Sequence, residues 1–132
     1  MADYYTQGAV KNDIPCQYIK DDEARKLEAF GFTLQKVDGV YKVGSLRLVF
    51  TAEFGGETLG EEDMKRIFQG IIKRSGGTFP FVELEVAFTA SDPVQGGFGG
   101  AAYFITADSV DMTSTESWLN RKRYEAFGGS SL

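Results

Sequence analysis

The sequence predicts an α+β sandwich of ferredoxin-like type: a mainly antiparallel sheet of four to six strands, two main helices on one face and a short C-terminal helix. Three observations predict it. Residues 46–54 and 79–89 alternate apolar and polar side chains with period two, as strands with one face on a core do. Residues 64–72 repeat Met64, Ile67, Phe68, Ile71 and Ile72 at helical spacing. The 11 Phe and 6 Tyr against a single Trp suit a pleated, half-buried surface.

Residues 4–10 alternate weakly and are rich in Tyr and Thr, which reads as a first strand broken at residues 12–15. Asp21 and Asp22 are placed to cap a helix over residues 22–30, with Ala24, Leu27 and either Phe30 or Ala29 inward and Gly31 as its stop. Residues 32–37 and 40–43 flank Asp38-Gly39, a dipeptide that favours a tight two-residue hairpin. After Gly44-Ser45, the alternation of Leu46, Leu48, Phe50, Ala52 and Phe54 predicts a strand. Thr58 and Glu61 have the spacing of a capping box for the second helix, which Gly76-Gly77 ends. That helix carries acidic residues at its start and Lys73 and Arg74 at its finish, as the helix dipole favours. Residues 79–89 put Val82, Leu84, Val86 and Phe88 on one face, and residues 101–106 form the last expected strand. Thr113 and Glu116 suggest a second capping box for a short helix that holds Trp118 as a core anchor and Arg121 to Arg123 near its end. Set end to end, the order resembles two βαβ-like units sharing an antiparallel sheet.

At 132 residues, 42% of them hydrophobic, the chain matches one globular domain, residues 1–127, followed by a flexible tail, 128–132. A net charge of -5 argues against a nucleic-acid-binding face, which needs clustered cations against phosphates, and leaves room for a partner with a basic surface. The chain has no histidine and one cysteine, Cys16, so neither an intramolecular disulfide nor a Cys-cluster zinc site can form. No metal site, cofactor or catalytic residue is expected. The start, MADYYTQGAV, has no basic region leading into an apolar run, and no segment reaches the ~20 apolar residues of a membrane span. The expectation is a cytoplasmic protein made without processing.

The least ordinary segment is 93–108, PVQGGFGGAAYFITAD, where paired glycines lead into an apolar run. Gly97, Gly99 and Ala102 satisfy G-x-G-x-x-[G/A], but a dinucleotide fingerprint needs a helix straight after the glycines, and AAYFITA has the content of a strand. The glycines therefore read as a turn or bulge that admits the final strand, with at least one of Gly96, Gly97, Gly99 and Gly100 at positive φ. The segment GGFGGAAYFITADSVDMTSTESWL resembles the C-terminal signature of small bacterial proteins, often carried by plasmids and phages, that combine FGGGA, a TA-containing strand and a later Trp. The resemblance implies an α+β fold and a mobile-element setting, and brings no activity or catalytic residues. This chain departs from the signature in placing Ala101-Ala102 after Gly100.

Two functional readings follow. Without a histidine, and with Cys16 unsupported, no set of nucleophile, base and orienting group can be assembled. The first reading is accordingly a non-enzymatic interaction or accessory protein that acts through a protein partner or by self-association. A sheet face exposing Tyr, Val49 and Phe81 would mark its interface. The second is a small-ligand-binding domain or enzyme with a pocket beside Gly96, Gly97, Gly99 and Gly100. Glu83 and Glu85, ~7 Å apart on one strand face, and Tyr103 would supply its polar groups. Cross-strand cations such as Arg47 would neutralise the two carboxylates.

Overall fold

The first strand, β1, runs over Tyr4–Pro15 and passes through the segment expected to break it. Asn12 makes this possible. The pairing register of β1 shifts between Val10 and Ile14, and there the Asn12 amide replaces ladder bonds, donating to the Phe81 carbonyl (2.7 Å) and accepting from the Glu83 N–H (3.0 Å). The structure is a computed structural model and describes residues 4–90 and 98–128.

Helix α1 spans Asp21–Ala29, and its N-terminus is closed by the Lys20 N–H donating to the Glu23 carboxylate (2.9 Å) rather than by a side chain of Asp21 or Asp22. It stops at Gly31, whose φ of 99° is left-handed and whose position leaves no room for a side chain: a Cβ there would stand 2.2 Å from the Arg47 carbonyl oxygen. Strands β2 (Thr33–Val37) and β3 (Val40–Ser45) form the expected hairpin, with Asp38 at φ 49° and Gly39 at φ 80°, the paired positive φ of a type I′ turn.

The strand expected over residues 46–54 is not formed. Beyond Ser45 the Leu48 N–H donates to the Thr6 carbonyl (2.6 Å) and the Val49 N–H to the Phe30 carbonyl (2.8 Å), which binds the backbone to two different elements. Leu48 is still buried without a ladder, while Leu46 of the same alternation is exposed. Only Ala52–Phe54 (β4) is extended and paired, with Glu57–Leu59 (β5), in a small separate hairpin. Thr58 lies in that hairpin with its hydroxyl on Glu53 (2.8 Å), so the predicted box with Glu61 is absent. Helix α2, Glu61–Arg74, is closed instead by the Gly60 N–H on the Asp63 carboxylate (2.8 Å).

Strand β6 (Val82–Ala90) pairs with β7 (Gly99–Ile105), and β7 pairs with β8 (Val110–Ser114), a strand the sequence reading did not foresee. Helix α3 (Thr115–Phe127) begins at Ser114, whose hydroxyl accepts from the Ser117 N–H (3.1 Å), and not at Thr113. Gly128 closes it in the left-handed conformation (φ 65°), and residues 129–132 of the expected tail lie outside the described residues.

The main sheet has six strands in the order β2-β3-β1-β6-β7-β8, each antiparallel to its neighbours, so the chain is α+β. One face carries Val10, Val43, Val82, Leu84, Val86, Tyr103 and Ile105, all buried against Leu27 and Phe30 of α1 and Met64, Phe68, Ile71 and Ile72 of α2. Phe68 and Ile71 are fully buried, and each contributes ~1.5–3 kcal/mol by leaving water. The two helices are tied by Arg74, which donates to both carboxylate oxygens of Glu23 (2.8 and 3.0 Å) and to the Tyr18 carbonyl. No helix among the described residues is long and apolar enough to cross a membrane.

Candidate functional site

Alternation puts the other face of the sheet opposite α1 and α2, and nothing described here covers its centre. Its residues follow from the register: Gln7, Ala9 and Lys11 of β1, Glu83, Glu85 and Ala87 of β6, Gly100, Ala102 and Phe104 of β7, and Asp111 and Thr113 of β8. One row crosses all six strands as Thr33, Gly44, Ala9, Glu85, Ala102, Thr113. The row is small-sided except for Glu85, so the middle of the face is a trough. The Phe81 and Phe104 rings stack at one end (5.2 Å between centroids, 22° between planes), and Trp118 of α3 stands at the other. A cavity of about 730 Å³, mostly apolar, lies over Ala9, Ala87, Gly100 and Ala102 beneath Trp118. A smaller one of about 370 Å³ adjoins it, beside Lys11, Glu83, Glu85, Phe104 and Asp111.

The residues singled out from sequence separate onto the two sides of the sheet. Glu83 and Glu85 do share the open face, and Glu85 with Gly99 and Gly100 lines the larger cavity, while Glu83 lines the smaller. Tyr103 is opposite Leu84 and points into the core, where its hydroxyl donates to Glu61 of α2 (2.7 Å). Burial, followed by that hydrogen bond and the nearby Glu61 charge, holds its phenol well above the ordinary tyrosine range. Its hydroxyl is thus engaged on the core side with α2, although Tyr103 is among the residues lining the smaller cavity. Gly96 and Gly97 lie outside the described residues.

Gly99 and Gly100 have no positive φ; both are extended residues of β7. Close approach explains them better: a Cβ on Gly100 would stand 3.1 Å from the Val86 carbonyl and one on Gly99 3.1 Å from the Thr115 hydroxyl, while the Gly100 N–H donates to that hydroxyl (3.2 Å). The glycines thus seat the start of α3 against β7. The partner of Glu85 is Lys11 (3.5 Å), and Arg47 instead lies over the Tyr5 ring (5.8 Å to the centroid). Among the described residues no group of three or more His, Cys, Asp or Glu could hold a metal ion.

No protein-family model, curated protein or solved structure matches the chain.

Helix α3 is the feature that sequence reasoning placed least well. Trp118, expected in the core, is 50% exposed, and Leu119, Tyr124 and Phe127 are 52–66% exposed. Among the described residues the helix packs mainly against β7 and β8, and it has no buried residue. Its apolar side chains lie all round its axis, which is the one signal in the sequence that no single face of the domain could cover it.

Proposed function

We propose that the protein is a non-enzymatic interaction protein that works through the open sheet face and α3. The observation that carries this is the exposure of α3 along its whole length. An isolated helix of ~12–15 residues is marginal in water, and most helical stability comes from packing; a 13-residue helix carrying Trp118, Leu119, Tyr124 and Phe127 in solvent has the composition of an interface element. The trough beside it supplies a concave, mostly apolar surface of the kind partners fill.

A ferredoxin-like core is our reading of the fold. The element order β1-α1-β2-β3-α2-β6 and the strand order β2-β3-β1-β6 support it, because α1 and α2 each join parallel strands that have another strand between them. In this reading β7, β8 and α3 are an extension that widens the sheet and carries the interaction surface. An accessory role on a plasmid or phage is supported by the glycine and Trp signature, and a cytoplasmic setting by the lone Cys16.

A photo-crosslinking residue placed at Leu119 or Ala102 in the expressed full chain tests the interaction reading. Both positions are expected to give a polypeptide adduct in the cell, well above that from Glu28, an exposed position on α1. Equal, background yields at all three sites would remove the reading. The second reading, a small-ligand site, has in its favour the cavity of about 730 Å³, which falls within the size range of ligand pockets. With Glu85 as the one carboxylate among the described residues of its lining, an apolar, planar ligand lying against Trp118 is what it would take. Saturable one-to-one binding of such a compound by the monomer, reported by Trp118 emission, is its test.

A further inference from the structure

We infer that the partner is a second copy of this chain, each copy laying its α3 across the other's open sheet face; the inference rests on the interaction reading above. Length is the first argument. At ~1.5 Å per residue the 13-residue α3 is about 20 Å long, and six strands spaced ~4.8 Å apart give a row about 24 Å across. Small side chains along that row let a helix backbone approach closely.

Charge is the second. The chain is acidic overall, yet α3 places Arg121, Lys122 and Arg123 in succession. Lys122 is shared with Glu125 of the same helix (3.3 Å), and Arg123 donates to Asn120 (2.9 Å). The open face presents Glu83, Glu85 and Asp111 around the trough, with Lys11 on Glu85. Cationic arm and acidic face belong to the same molecule, so a two-fold arrangement satisfies both surfaces at once and closes without leaving a free copy of either.

Area is the third. An aromatic side chain buries ~150–250 Å², so four large side chains about half exposed leave roughly 300–500 Å² of apolar surface per arm. With a like area of trough, and two arms per pair, the total is on the order of 1,200–2,000 Å², the size of a stable interface. One copy supplying only its own arm would fall short of it.

The test is charge reversal in the full chain, read by sedimentation. One variant reverses the arm (Arg121→Glu, Lys122→Glu, Arg123→Glu) and another reverses the face (Glu83→Lys, Glu85→Lys, Asp111→Lys). The altered side chains belong to α3 and to the open face, away from the core, and circular dichroism checks that each variant folds. The unaltered chain is expected to be a dimer, and each variant to dissociate about ten-fold or more readily. Their one-to-one mixture is expected to regain the original affinity, because the reversed arm then meets the reversed face. A dimer indifferent to both reversals overturns the inference, as does a mixture no tighter than the separate variants. A chain that is monomeric at every concentration overturns it too. If that monomer still gives a Leu119 adduct with another protein, the interaction reading stands and only the second copy is lost. Without any adduct, both fall.

Discussion

Trp118→Ala separates an interface residue from a core anchor. A buried Trp or Phe replaced by Ala costs a domain ~3–5 kcal/mol, the lost transfer energy plus the cavity left behind. Trp118 is 50% exposed and sits on a helix with no buried residue, so no closed cavity results, and its Lys122 neighbour, 5.9 Å from the ring, is also exposed. The dilute monomer should therefore lose no more than about 1 kcal/mol, in the range of ordinary surface substitutions. Association should suffer far more, because an aromatic side chain that packs at the centre of an interface is worth ≥2 kcal/mol when truncated, or more than a ten-fold change in Kd. Urea unfolding followed by circular dichroism at low concentration gives the first quantity, and sedimentation equilibrium at high concentration the second. A loss of about 3 kcal/mol or more in the dilute protein would refute the reasoning and restore Trp118 to the core.

Three further outcomes follow from the fold. Gly31→Ala should destabilise by about 2–5 kcal/mol, since a left-handed residue costs ~1–2 kcal/mol and overpacking ~1–3 kcal/mol, and its Cβ would meet the Arg47 carbonyl at 2.2 Å; a midpoint within 1 kcal/mol of the parent, by the scale of ordinary surface changes, counts against the packing described. Phe68→Ala, at a fully buried position between α2 and the sheet, should cost ~3–5 kcal/mol in the same urea assay. Tyr103→Phe tests the buried phenol by pH. Because the folded protein holds that proton more tightly than the unfolded chain, whose tyrosine titrates at 10.0, the contribution is complete below that value and is lost as pH rises above it. Stability of the parent should thus fall more steeply than that of Tyr103→Phe as pH rises from about 10 to about 11, and parallel curves would show that the phenol is not held as described.

Which parts of this fold the residues announce depends on whether a local rule or a distant contact decides them. Asp38-Gly39 needs only its own backbone preference, and α2 only its apolar spacing, so both were legible. The strand β8 was not: Val110, Asp111, Met112, Thr113 and Ser114 form an edge strand with its side chains largely exposed, and an edge strand buries too little to leave an alternating pattern. Residues 46–54 misled in the opposite direction, since Leu48 and Val49 are tied by their N–H groups to Thr6 and Phe30, contacts that period two cannot distinguish from a ladder. At the candidate site, the spacing of Glu83 and Glu85 correctly placed them on one face. Their separation from Tyr103 rests on the register of β6 against β7, with Leu84 opposite Tyr103, which pairing between distant segments decides. Trp118 went astray for a related reason: a large aromatic residue is usually covered, and the described residues leave this one half exposed.

The exposure of Trp118 can be followed directly, because it is the only tryptophan in the sequence and its emission reports α3 alone. Acrylamide quenching of that emission, measured across a dilution series of the full chain, tests whether α3 and the open sheet face form an interface. The account predicts ready quenching in the dilute protein, then a blue shift and protection as concentration rises, in step with the growth of the dimer in sedimentation. Quenching that stays the same while a dimer forms would contradict it, for the helix would then lie outside the interface.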